Sequence, residues 1–177
     1  MLTSARKPVL GFAAYSGVGK TTLLKQLIPL LTGNGLRVAL IKHAHHDFDI
    51  DKPGKDSYEL RQAGAGQVLI TSAKRRALML ENPLEKDPLL DDEINYLQQQ
   101  DADLILVEGF RHESFAKIEL FRPAAGHEPL YIADKDIIAV ATDAELPQLT
   151  TLPVLDINNP EEIANFICFR FLPDHQL

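Results

Sequence analysis

The 177-residue chain carries a single cysteine, Cys168, which excludes an internal disulfide and a cysteine-built metal site. Cys168 lies in the apolar stretch Phe166-Ile167-Cys168-Phe169 and reads as a core residue. Positive charge is also scarce, with 18 Lys and Arg against 25 Asp and Glu, a formal net charge of -7. Nucleic-acid binders concentrate Lys and Arg on one face, so this balance argues against a DNA or RNA partner. No apolar run approaches the roughly 18 to 20 residues that span a bilayer. Residues 1–7 lack the apolar core of a signal peptide, so the expectation is a cytoplasmic protein without a membrane partner. What remains is ordinary globular material, 45% hydrophobic and 24% charged, of a length that suits one domain over residues 1–177.

The hydrophobic pattern changes period along the chain. Residues 8–14 (Pro-Val-Leu-Gly-Phe-Ala-Ala) are continuously apolar, as in a strand buried on both faces of a parallel sheet. From Lys20, Leu23, Leu27 and Leu31 recur at helical spacing beside Leu24 and Ile28, and Gly33-Asn34-Gly35 supplies the stop. Pro29 inside this helix removes a backbone hydrogen bond at a cost of about 3 kcal/mol and predicts a kink. Burial of five Leu and Ile side chains, at roughly 1.5 to 3 kcal/mol each, outweighs it. Residues 36–42 predict a second strand, and Ser57 the N-cap of a short helix ending near Gly64. Residues 67–72 and 76–80 predict a hairpin, and 89–100 a helix. Residues 103–107 are a strong buried strand, with weaker strands at 117–122, 137–142 and 153–157. A closing helix over 160–171 starts on a proline. The alternation implies an α/β fold with a largely parallel central sheet and a β-hairpin extension, and the glycine-rich turn over 14–22 makes the expectation a three-layer phosphate-loop NTPase fold.

The turn between the first strand and first helix reads Ala14-Tyr15-Ser16-Gly17-Val18-Gly19-Lys20-Thr21-Thr22. It follows the G-x-x-x-x-G-K-[ST] pattern except that Ala14 replaces the first glycine. Gly17 and Gly19 allow backbone N–H groups to approach a phosphate, and the positive end of the helix adds to the attraction. Ser16, Gly17, Val18, Gly19, Lys20, Thr21 and Thr22 are the candidate triphosphate-binding residues, with Lys20 on the β- and γ-phosphates and the Thr21 hydroxyl on magnesium. Ala14 adds one methyl at the strand end, which is tolerable if its φ is negative.

Four apolar residues ending in an acid, Leu104-Ile105-Leu106-Val107-Glu108, supply the carboxylate that such a site needs on the metal side. Glu108 is the candidate, and with Lys20 it makes the candidate catalytic pair, whereas Asp103 at the opposite end reads as a surface acid. Gly109 is a candidate γ-phosphate sensor. The segment Lys42-His43-Ala44-His45-His46-Asp47-Phe48-Asp49-Ile50-Asp51 leaves the second strand on the same sheet edge. It reads as a switch segment placing one Asp, Asp49 being chosen, on magnesium; as a transition-metal site; or as a solvated loop. A guanine-reading Asn-Lys-x-Asp motif is absent, and Asp143 in Thr142-Asp143 is the candidate base carboxylate. Composition leaves GTP and ATP both open. No glutamine follows Glu108-Gly109, and no arginine is placed unambiguously among Arg75, Arg76 and Arg111. Hydrolysis is therefore expected at roughly 10⁻⁴ to 10⁻² s⁻¹.

The phosphate loop, Lys42-His43-Ala44-His45-His46, Pro53-Gly54-Lys55-Asp56-Ser57, Ala63-Gly64-Ala65 and Val107-Glu108-Gly109-Phe110, in that order, resemble the MobB family of molybdopterin-guanine dinucleotide biosynthesis adapter proteins. The resemblance spans nearly the whole chain. It implies GTP binding with magnesium, weak GTPase activity, a homodimer, and a supporting role beside the guanylyltransferase that attaches GMP to molybdopterin. Two other classes stay open. A small-molecule kinase needs an arginine-bearing lid, for which Arg75-Arg76 is thin, and an acceptor site. A metallochaperone GTPase would bind a transition metal through His43, His45 and His46.

Overall fold

The computed structural model describes residues 2–44, 48–82 and 86–175, and these form two compact units, 1–43 with 89–177, and 44–88. The first unit is built on a six-stranded, wholly parallel sheet in the order β2-β5-β1-β6-β7-β8. Its strands are β1 (Val9–Ala13), β2 (Val38–Lys42), β5 (Leu104–Glu108), β6 (Lys117–Phe121), β7 (Ile137–Thr142) and β8 (Val154–Asp156). β1 and β2 flank β5 and do not pair, so the first crossover skips one place.

The strands form where β-branched and aliphatic residues run together, and both faces are covered, as the continuous apolar pattern of β1 requires. Leu10 and Phe12 face helix α1 (Lys20–Gly33), which contributes Leu23, Leu24, Leu27 and Leu31. Beside it packs α4 (Pro160–Phe166), capped by the Asn159 side chain on the Glu162 N–H at 3.2 Å. The chain continues through a wider π-type turn, Ile167–Phe171, into the short α5 (Leu172–Asp174). On the opposite face Val9, Ile105 and Val107 meet Leu90 and Ile94 of α3 (Leu90–Ile94) together with Phe110 and Phe115. α1 runs through Pro29 without a break; Pro29 is exposed, and the carbonyl it leaves without a partner belongs to exposed Lys25, within reach of water.

Two buried charges on β6 stitch loops to the sheet. Lys117 is 1% exposed, with its ammonium 3.0 Å from Asp134 and donating to the Glu113 carbonyl at 2.6 Å. The buried Glu119 carboxylate accepts the Leu130 and Tyr131 N–H groups, each at 2.7 Å. Burial raises its pKa, and the two backbone donors work the other way. Gly11 explains the tight fit beneath: an added Cβ would lie 2.6 Å from the Phe115 ring and 2.8 Å from Lys117 Cγ.

The helix expected over 89–100 is shorter. α3 ends at Ile94, and a 3₁₀ turn, Gln99–Asp101, follows. Gln99 is the cause, because its buried amide turns inward to bond the Arg6 N–H at 2.7 Å and the Ser4 carbonyl at 2.9 Å. Those bonds anchor the N-terminal segment to the 3₁₀ turn.

The second unit holds α2 (Asp56–Gln62) and an antiparallel hairpin, β3 (Gln67–Thr71) with β4 (Arg76–Leu80). Ser57 lies inside the first turn of α2 and Lys55 takes the N-cap position. No side chain caps α2; Glu59 Oε1 accepts the Gly54 N–H at 3.2 Å, which ties the preceding turn to the helix.

Asp103, at the amino end of β5, receives Arg37 through its backbone N–H at 2.9 Å and its guanidinium at 2.7 and 3.0 Å. The guanidinium bond, then the backbone bond, hold its carboxyl far below the usual range. A depressed folded pKa stabilises the native state above the unfolded value, near 4, and that contribution is lost as the pH falls. Asp103→Ala should therefore lower the urea midpoint at pH 7, and its curve should converge on the parent's as the pH drops below about 4.

Candidate functional site

β5 lies in register with both neighbours, Glu108 beside Phe12 of β1 and beside Lys42 of β2, so three strand ends open on one edge. The chain leaves β1 through the loop that carries the phosphate pattern. Gly17 and Gly19 have φ of 83° and 106°, the left-handed region where a side chain is strained. Nothing lies within 4 Å of an added Cβ at either, so the glycines serve conformation and leave space before the loop. Phe110 is the only non-glycine with positive φ among the described residues, so Ala14 occupies the strand end without strain. Val18 is buried and anchors the loop in the core, whereas Ser16, Gly17, Thr21 and Thr22 are exposed.

Gly19 starts α1 with no side-chain cap and no acid in its first turn. The unsatisfied N–H groups and the positive end of a 14-residue helix are thereby left for an anion. Lys20 folds back with its Nζ 3.4 Å from the Ala14 carbonyl. Burial lowers its pKa, the Glu108 charge opposes that, and Lys42 and Arg111 lower it further. Lys20 and Glu108 therefore act on one another in the same locality. The Glu108 side chain is only 13% exposed and receives Lys42 Nζ at 3.0 Å, a partner that the linear motif did not reveal.

After Glu108 the backbone turns through two left-handed residues, Gly109 (φ 107°) and Phe110 (φ 50°). His43 explains the first. Its N–H donates to the Glu108 carbonyl at 2.8 Å, its ring stacks on Phe110 at 4.7 Å, and its Cβ would lie 2.5 Å from one added at Gly109. The start of the His/Asp segment is thus clamped to the strand that ends in Glu108. His45, His46 and Asp47 lie outside the described residues. Asp49 belongs to the second unit, where it pairs with Arg61 and accepts the Asp51 N–H at 3.0 Å. Among the described residues no cluster of three or more metal-ligating side chains occurs.

Of the three candidate arginines, Arg111 stands by the loop, with its guanidinium 5.4 Å from the Tyr15 ring, and Tyr15 stacks on His127 at 4.2 Å. Arg75 and Arg76 are at the hairpin turn of the second unit. On the other side of α1 lies a cavity of about 340 Å³ lined by Val18, Gly19, Thr22, Gln26, Arg122 and Asn158, among others. Asp143 stands at the end of β7, ion-paired to Arg122. Arg122 was not visible as a site residue in the sequence, since 21 positions separate it from Asp143. Only the register of β6, β7 and β8, with Phe121, Thr142 and Asp156 abreast, brings the three strand ends together.

A helix springing from the loop after β1, with an acid-tipped parallel strand beside it in this order, places the chain in the phosphate-loop NTPase fold class. The model of the family MobB, molybdopterin guanine dinucleotide synthesis protein B, matches residues 9–143. The molybdopterin-guanine dinucleotide biosynthesis adapter protein of Escherichia coli (strain K12) is 53% identical over 161 residues, 90% of this chain and 91% of that one. Its namesake from Haemophilus influenzae is 46% identical over 90% of this chain and 87% of its own. A crystal structure of molybdopterin-guanine biosynthesis protein B superposes with a TM-score of 0.72 at 27% identity, covering 93% of this chain and 99% of that one. The chain belongs to the MobB family.

The two left-handed glycine regions should respond differently to a methyl group. Gly109→Ala combines strain with a backbone-level clash on His43 and should cost about 2 kcal/mol or more. Gly17→Ala meets open space and should cost only the conformational part, about 1 to 2 kcal/mol. Urea denaturation of both variants measures the difference.

Proposed function

We propose that this protein binds GTP with magnesium and serves as an adapter in molybdopterin guanine dinucleotide biosynthesis, beside the guanylyltransferase that attaches GMP. The observation that carries the nucleotide part is the uncapped start of α1 behind left-handed Gly17 and Gly19, with Lys20 and the nearly buried Glu108 acting on each other there. That donor set suits a triphosphate: backbone N–H groups and one ammonium for the phosphates, and a hydroxyl and a carboxylate for a hard cation. Thr21 and Glu108 would hold magnesium, which supplies charge neutralisation along the phosphates. Lys42, whose Nζ donates to the Glu108 carboxylate at 3.0 Å, would orient it until the cation arrives. Asp143 would accept the guanine N–H groups at the carboxyl edge of β7. Membership of the MobB family supports the pathway and the adapter role.

Hydrolysis belongs at the slow end. Arg111 is engaged with the Tyr15 face and with His112 at 3.1 Å, so an arginine free to reach a γ-phosphate would have to leave those contacts. Without such a residue turnover stays at roughly 10⁻⁴ to 10⁻² s⁻¹. The protein then acts by its nucleotide state and its company, and its hydrolysis does not make the pathway's product.

Replacing Lys20 by Ala should abolish nucleotide binding at micromolar protein, and calorimetric titration with GTP and ATP should show preference for GTP in the parent. Unchanged affinity in the variant, a strong preference for ATP, or phosphate appearing on a small acceptor would overturn this reading.

Self-association is the second component of the proposal. On one face of the hairpin Leu69 and Leu78 stand directly opposite each other and are 60% and 53% exposed, with Leu60 of α2 also exposed. A two-stranded sheet also leaves backbone donors and acceptors along its outer edges, so apolar side chains and unpaired edges suit a second copy. Multi-angle light scattering should return twice the chain mass of 19.7 kDa, and Leu69→Lys with Leu78→Lys should shift it to the monomer. A monomer for the parent would refute the homodimer.

A further inference from the structure

We propose that Arg122 is the positioning residue of the base site, and that it ties recognition of guanine to the phosphate loop. This rests on the reading of the protein as a guanine-nucleotide binder.

One guanidinium makes three contacts that belong to three different segments. Its Nε donates to the carbonyl of Val18, inside the phosphate loop, at 3.2 Å. One terminal nitrogen pairs with the Asp143 carboxylate beyond β7, and the other donates to Asn158 Oδ1 beyond β8 at 2.8 Å. The side chain is 30% exposed and lines the cavity beside the first turns of α1. Planar, permanently charged and forked, a guanidinium can hold such a set at fixed angles, which a flexible ammonium does not.

The need for this brace follows from what β7 lacks. In an Asn-Lys-x-Asp arrangement ending at Asp143, the asparagine and lysine positions would be Val140 and Ala141. Both are fully buried among apolar side chains and can neither donate a hydrogen bond through their side chains nor carry charge. Asp143 therefore sits at a strand end with no polar support from its own strand, and a short carboxylate there is free to rotate. The cation arrives instead from β6, because parallel register sets Arg122 abreast of Asp143.

An aspartate has about four acceptor positions, so Asp143 can keep Arg122 on one and take the two guanine N–H groups on the others. Arg122 then holds the carboxylate in the accepting orientation. Through Val18 it also sets the span between the base carboxylate and the phosphate cradle. Adenine presents an acceptor where guanine presents the ring N–H, so a rigid carboxylate discriminates between them and a loose one does not. Asn158 completes the frame by restraining the guanidinium from the far side.

The test compares Arg122→Ala and Arg122→Lys with the parent, titrating GTP, ATP and magnesium tripolyphosphate, which touches only the phosphate loop. Thermal unfolding identifies any variant that fails to fold, and the lysine variant, which keeps the charge, carries the comparison in that case. Arg122→Ala should weaken GTP at least tenfold, bring GTP and ATP within about threefold of each other, and leave tripolyphosphate within threefold of the parent. Arg122→Lys should recover part of the GTP affinity and less of the discrimination. Equal losses for GTP and tripolyphosphate, or an unchanged GTP to ATP ratio in Arg122→Ala, would overturn the role of Arg122 while leaving the guanine reading intact. A parent that binds GTP and ATP equally would instead remove the guanine reading, and this inference with it.

Discussion

The register of β1 against β5 and β6 governs the rest of the molecule. A parallel pair aligns strand ends, so the residue after each strand emerges on a common edge. With β5 between β1 and β2, the phosphate loop, Glu108 and Lys42 leave the sheet as neighbours. With β6, β7 and β8 stacked on the other side, Arg122, Asp143 and Asn158 do the same. A slip of one residue in either ladder would turn each functional side chain to the opposite face.

That register is maintained by burial as well as by ladder hydrogen bonds. Leu10 and Phe12 lock β1 against α1, while Gly11 permits Phe115 and Lys117 to pack directly over the opposite face. Lys117 and Glu119 are charges placed where charge is expensive, and each is fully engaged, one with Asp134 and a carbonyl, the other with two N–H groups. Losing these partners would leave an unsatisfied charge in the core, so they favour the observed placement of the 111–113 and 130–136 loops. Arg111, in the first of those loops, stands over the Tyr15 ring of the phosphate loop at 5.4 Å.

Legibility in the sequence followed the locality of the cause. Local signals were sound: β7 over Ile137–Thr142, the hairpin pair, the proline start of α4 and the glycine turn before Lys20 all depend on neighbours in sequence. β6 read as a weak strand because Lys117 and Glu119 break its apolar run, and only distant partners make those charges tolerable inside. The helix over 89–100 read as too long because Leu97 continues the periodicity, while Gln99 is recruited by residues 4–6, more than 90 positions away. Ser57 resembled a cap, yet it lies inside the first turn of α2 and Lys55 stands at the N-cap position.

The phosphate loop and the acid-tipped strand were readable along the chain, because a Gly-x-Gly-Lys-Thr turn between a buried strand and an apolar-faced helix carries its own geometry. The sequence also marked Asp143 as a strand-end acid. Tertiary structure alone decided which groups meet these residues: Lys42 on Glu108, His43 against Gly109, and Arg122 joining Val18, Asp143 and Asn158. The physical reason is that a parallel sheet brings together strand ends whose order in space differs from their order in the chain, and no spacing along the chain encodes which strand lies beside which.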